Sequence, residues 1–208
     1  MSSRTRAVAI STAAAGTTAG AVAAAAYLGL VTGACPIDLG IGRRSRPLGP
    51  QVVDIAAARE LVFDIIAQPY LGRTTHAMAE KVQVLDRGTD MVLAAHRTPI
   101  HGPFGRRLTA VTVETVRFTR PERLDFRLVR GPVPHVVETF QLADRDTGTR
   151  LEYRGEMAAD LWWLGQRWAD LVAGHWERTV AASLAAVKTE AERRSAIAGL
   201  PPARRSSR

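Results

Sequence analysis

Two glutamates stand in positions where a carboxylate is unusual. In VVETF, Glu138 keeps step with Val136 and Phe140, and in VETVRF, Glu114 keeps step with Val116 and Phe118. Alternate side chains of a strand share one face, so either carboxyl would enter the apolar side of a sheet. A buried carboxyl is costly unless it is paired, and the available partners are His96, Arg97 and His175. Carboxyl and imidazole groups in an apolar cleft are the equipment of general acid–base catalysis, which makes Glu138, Glu114 and His175 the catalytic candidates if the chain is an enzyme. The plainer reading is that a bulge in one or both strands turns the glutamate to water, and that His175 is a hydrogen-bonded core histidine.

Other chemistries find less support. The histidines are His76, His96, His101, His135 and His175, with no HxH or HxxxH spacing among them, so neither a metal nor another cofactor is expected. There is no GxSxG elbow, no GxGxxG and no Walker pattern, and the single cysteine, Cys35, precludes an internal disulfide. The TGAC ending at Cys35 is a weak match to a lipoprotein cleavage site, since Thr32 replaces a larger apolar residue and Pro36 follows.

The elements that must position these groups are legible by period. QVVDIAA (51–57) reads as a strand, and AARELVFDIIAQ (57–68) as a helix with Leu61, Val62, Ile65 and Ile66 on one face, stopped by Pro69. Period-two segments follow, turning at 86–90, 120–123 and 144–148, for about six or seven antiparallel strands in all. Leu124, Phe126 and Leu128 point inward, as do Val136, Glu138, Phe140 and Leu142, then Leu151, Tyr153, Gly155 and Met157. Arg150, Glu152, Arg154 and Glu156 alternate out to water, the pattern of an antiparallel sheet with one wet face.

From Asp160 to Arg194 no proline interrupts a long amphipathic helix. Its apolar stripe is read as Leu161, Leu164, Trp168, Leu171, Val172, His175, Trp176, Thr179, Val180, Leu184 and Val187. All four tryptophans lie on this helix, with Trp162 and Trp163 at its entrance. A helix laid over one face of a curved sheet closes a single core, an α+β architecture.

The two ends differ from this body. The formal charge is +8, but residues 51–187 carry 17 basic and 17 acidic side chains, so a nucleic-acid groove on the body is not expected. Ala7–Cys35 is a run of 29 positions without charge, long enough for a membrane-spanning helix although rich in Ala, Gly and Thr. We read residues 1–35 as a single-pass membrane anchor, with the three arginines after it favouring a cytoplasmic body. A cleaved secretory signal, a transit peptide and a disordered arm are the competing readings. Residues 36–50 read as a Gly/Pro/Arg linker, 51–195 as the folded domain and 196–208 as a disordered basic tail.

The body also resembles a known group. RELVFDIIAQP, RPERLDFRLVRGP, VVETFQLADRDTGTRLEYRGEM and the long closing helix look like the SRPBCC superfamily, which includes START lipid-transfer domains and the polyketide cyclase/dehydrase and lipid-transport family. The resemblance covers roughly residues 50–195. DLGIGRRSRPLGP is similar to the linker of uncharacterised actinobacterial members with an amino-terminal membrane segment. The resemblance implies a helix-grip fold and an elongated cavity for an apolar small molecule. In this chain Phe126, Leu128, Val136, Glu138, Phe140, Leu151 and Tyr153 would line it from the sheet, with Leu164, Trp168, Leu171 and His175 from the helix. The leading expectation is a membrane-anchored binding or transfer protein for a lipid, isoprenoid quinone or similar molecule, with membrane lipids as further partners. The alternatives are a polyketide cyclase/aromatase-like enzyme and an interaction or chaperone domain with a closed interior.

Overall fold

The computed structural model describes residues 20–72, 80–101 and 107–198. The start of the expected anchor (1–19) and the tail from 199 lie outside the described residues. A helix over 20–31, here α1, precedes the sheet. Then come β1 (Arg44–Ile55), α2 (Arg59–Ala67), a 3-10 turn (Gln68–Tyr70), β2 (Val82–Arg87) and β3 (Met91–His101). β4 (Arg107–Thr119), β5 (Arg123–Arg130), β6 (His135–Arg145), β7 (Gly148–Ala159) and α3 (Trp162–Ala198) complete the order.

The seven strands form one antiparallel sheet in the order β1-β7-β6-β5-β4-β3-β2. Five of the six neighbouring pairs join strands consecutive in the chain, while β1 joins the far edge beside β7. The core gathers on the face that α2 and α3 cover, with α3 lying against β1, β7 and α2. Leu124, Val136, Leu142, Leu151, Tyr153 and Met157 are all buried there, and outward Arg154 is exposed. This arrangement is consistent with the helix-grip fold that the resemblance implies.

Two readings of the sequence need correction. β1 starts at Arg44, inside the segment read as linker. Its alternation is hidden because the register with β7 shifts between Leu48 and Gln51, and Gly49 there takes a positive φ of 74°. Only Leu48 and Ile55 of this strand are fully buried.

The expected anchor lies only partly within the described residues. Among the described residues no helix is long and apolar enough to cross a membrane. The end of α1 is tied to the body. The Val111 amide donates to the Thr32 carbonyl at 3.1 Å, Arg130 donates to the Gly33 and Ala34 carbonyls, and the Tyr27 ring meets Trp168 edge-on. Residues 21–28 of the densest apolar part are exposed, and it is the segment's end that touches the folded domain.

The second correction concerns which face of α3 is buried. Gly165, Ala169, Ala173, Val180, Leu184 and Ala191 form the buried row, with Trp168, Val172, Trp176 and Val187 partly covered beside it. Leu164 and Leu171 are 55% and 64% exposed, and His175 is exposed with Arg178 as its neighbour. A Gly/Ala row lets the helix backbone approach the sheet closely. A stripe weighted by side-chain size overlooks such a row and drifts toward the bulky flank.

Candidate functional site

Glu138 sits on β6 opposite Phe126 of β5 and Gly155 of β7. It faces inward and is buried, as phase with Val136 requires. Two donors converge on one of its oxygens: the Tyr153 hydroxyl and the Trp176 indole N–H each donate to Oε1 at 2.6 Å. Tyr153 stands diagonally across on β7 and Trp176 comes down from α3, so sheet and helix meet at this carboxyl. Burial pushes Glu138 up to about 7, and the nearby Glu114 charge adds to the rise, while the two donors oppose it. Burial and the Glu138 charge likewise push the Tyr153 phenol far above its ordinary value.

With both donors on Oε1, a proton on this group belongs on Oε2, leaving the second oxygen as the reactive one. Tyr70, Phe126, Phe140 and Tyr153 form a chain of ring contacts at centroid distances of 5.2 to 5.9 Å, which makes the surroundings apolar.

Glu114 is buried on β4, two strands from Glu138 with β5 between them. Adjacent strands lie about 4.8 Å apart, so the two Cα atoms are separated by roughly 10 Å or slightly more. A register shift does occur between Val113 and Glu114 on the β5 side, yet the carboxyl stays inside because β3 pairs with β4 without a break. Burial lifts Glu114 to about 7, moderated by a hydrogen bond from Thr112.

Its partner is His96, whose Nδ1 lies 3.4 Å from Glu114 Oε2 while Nε2 meets the Tyr70 hydroxyl at 2.9 Å. Burial lowers His96 to about 4 and holds the Tyr70 phenol protonated. Imidazole and carboxyl therefore face each other as neutral groups near neutral pH, not as an ion pair. With Tyr70 as the donor to Nε2, the proton of the neutral imidazole is on Nδ1, the nitrogen beside Glu114. That nitrogen is buried and has no hydrogen-bond partner at normal geometry, so the Tyr70–His96–Glu114 line is incompletely satisfied.

The expected lining residues divide cleanly. Phe126, Leu128, Val136, Leu151 and Tyr153 are inward and buried, and Phe140 is inward and partly buried. Trp168 sits at the rim, its indole N–H donating to the Pro132 carbonyl at 2.8 Å. Leu164, Leu171 and His175 do not belong to the site, since all three point away from the sheet. Arg97 is exposed and bonds Gln83 instead of either glutamate. Tyr70 and Trp176 were not legible as site residues. Tyr70 follows a proline with no period to orient it, and Trp176 reads as ordinary core on an apolar stripe.

Several inward side chains stay only half-buried: His96, Thr98 and Ala110 on β3 and β4, Phe140 on β6, and Val172 and Trp176 on α3. Among the described residues no group of three or more His, Cys, Asp or Glu side chains could hold a metal. The arrangement can instead donate a proton from a neutral carboxyl and accept one on its conjugate base.

Residues 50–192 match the family model described as polyketide cyclase / dehydrase and lipid transport. No curated protein matches the chain. Among solved structures, the Zhui aromatase/cyclase of Streptomyces sp. R1128 superposes with a TM-score of 0.55 at 19% identity, over 76% of this chain and 98% of that one. The di-domain ARO/CYC StfQ of the steffimycin biosynthetic pathway gives 0.52 at 16% identity, over 74% of this chain and 52% of that one. Norcoclaurine synthase from Thalictrum flavum, in complex with dopamine and hydroxybenzaldehyde, gives 0.50 at 11% identity, over 77% and 91%. At these identities the structural likeness establishes the fold.

Proposed function

Since the chain belongs to the polyketide cyclase/dehydrase and lipid-transport family, we propose that it performs acid–base chemistry on an apolar, carbonyl-bearing molecule of polyketide type, with Glu138 as the principal proton carrier. This reading displaces the expectation of a passive carrier. The observation that carries it is the Glu138 carboxyl, held by Tyr153 and Trp176 through one oxygen, set among aromatic rings and lifted to about 7. A group with that value is populated in both forms at neutral pH, which suits proton transfer in either direction.

The chemistry balances without an added oxidant or reductant. The Glu138 carboxylate removes the proton between two carbonyls, the resulting enolate carbon bonds to a ketone carbon further along the molecule, and a neutral carboxyl protonates the new alkoxide. A second α-proton loss with protonated hydroxyl leaving as water gives the dehydrated ring. Glu114, backed by His96 and Tyr70, supplies a second proton site across β5. The half-buried side chains of β3, β4 and α3 supply the approach.

The test is incubation of the full chain with a synthetic poly-β-ketone thioester, followed by mass spectrometry. A product lighter by one water is expected, with Glu138→Gln slowing it by about 10²–10⁴-fold. Recovery of the compound unchanged but bound would refute turnover and restore the carrier reading.

A further inference from the structure

The exposed apolar side chains are not scattered. Of the fifteen large ones exposed among the described residues, ten lie in two stretches, 22–41 and 162–171. These stretches are physically joined. The Leu161 amide donates to the Ile41 carbonyl at 2.8 Å, the Trp162 amide donates to the Gly42 carbonyl at 2.9 Å, and Tyr27 meets Trp168. Leu39, Ile41, Trp162, Trp163, Leu164 and Leu171 thus form one patch, with Trp162 and Trp163 at 53% and 64% exposure. A contiguous patch of this kind marks an interaction surface, whereas single exposed apolar residues do not.

The backbone is held in a costly shape to make it. Leu161 and Trp162 take positive φ of 72° and 50°, a conformation that costs a residue with a side chain on the order of 1 kcal/mol. The Trp162 ring packs where a side chain on Gly42 would stand. Two backbone hydrogen bonds and this stacking fix the tryptophans facing outward.

We infer that this patch seats on a phospholipid bilayer surface with anionic head groups. Three observations favour lipid over a protein partner. Every acid bordering the patch is matched, Asp38 and Asp160 by Arg43 and Asp170 by Arg46, while Arg44 and Arg167 have no carboxylate partner among the described residues. Arg167 lies over the Trp163 ring at 5.6 Å, an amphipathic pairing suited to the zone between acyl chains and head groups. The chain leading into the patch carries no charge from Ala7 to Cys35, so its approach brings nothing that lipid would repel.

The experiment adds the full chain to vesicles of phosphatidylcholine, with and without phosphatidylglycerol, some carrying brominated acyl chains. All four tryptophans lie within 162–176, so their emission reports this end of the molecule. Expected are co-sedimentation favoured by phosphatidylglycerol and quenching by bromine that disappears in Trp162→Ser with Trp163→Ser. Leu39→Ser with Ile41→Ser should weaken binding by about tenfold. Sedimentation without quenching would assign attachment to the amino-terminal run alone and overturn the proposal. A dimer in sedimentation velocity that Trp162→Ser dissolves, or no vesicle binding at all, would overturn it too. Glu138→Gln lies outside the patch and should leave vesicle binding unchanged, which separates this outcome from that of the acid–base test.

Discussion

At the scale of single residues, the buried acids set how stability responds to pH. Glu138 and Glu114 rise from 4.5 to about 7, so the native state keeps protons that the unfolded chain has already released. Their stabilisation is whole below about pH 4.5 and is lost as pH climbs to about 7. His96 runs the other way. Lowered from 6.5 to about 4, it favours the native state above pH 6.5 and costs stability as pH falls toward 4. Glu138→Gln should therefore shrink the fall in unfolding free energy between about pH 5.5 and about pH 8 by on the order of 2 kcal/mol, measured by urea titration at each pH. Trp176→Phe removes a donor that favours the charged form. The low-pH limb of the pH–rate profile, set by deprotonation of the Glu138 base, should then move upward, by on the order of one pH unit. Strand period alone placed both glutamates on the apolar side. It could not choose between burial and a bulge, because the decision lies in the pairing, unbroken at β3–β4 for Glu114 and at β5–β6 and β6–β7 for Glu138, which a single strand does not encode.

At the scale of elements, α3 divides what sequence shows from what it hides. Its existence and length follow from an uninterrupted 3.6-residue pattern, but its rotation does not, because Gly165, Ala169 and Ala173 carry too little side chain to register as a hydrophobic face. The rotation has a direct test. Ala173→Leu should cost roughly 1–3 kcal/mol by overpacking, whereas Leu171→Ala should stay within about 0.5 kcal/mol because that side chain is exposed. The opposite ranking in chemical denaturation would mean the helix is turned the other way. The β6–β7 pair offers a second test. A Cβ on Gly155 would come within 2.6 Å of the Val137 carbonyl and 3.2 Å of Glu138 Cγ. Gly155→Ala should consequently lower the melting temperature and impair turnover together, since the same contact carries strand pairing and the carboxyl.

At the scale of the whole molecule, Asp160 ties the segment before β1 to the turn before α3. Its carboxylate accepts from the Leu39 and Gly40 amides at 2.6 and 2.8 Å and from Arg43, whose guanidinium chiefly holds it down at about 2. Asp160→Asn should loosen the 37–42 segment without unfolding the sheet, seen as faster protease cleavage at Arg43 and Arg44 with little change in melting temperature. The overall architecture was legible because its ingredients are local: turns, alternation, one long helix. The tie was not, since it joins residues far apart in sequence. The strand order carries a related consequence for how the protein is made. Arg44 of β1 pairs with Ala159 and Ile55 with Thr149, so during synthesis the first strand emerges without a mate and waits for the seventh. At about 5–20 residues per second that interval is on the order of 5–20 s. Arg44, Arg46, Pro47 and Pro50 along its leading half are poor templates for a stray strand, which lets the nascent chain keep this edge vacant until its rightful neighbour leaves the ribosome.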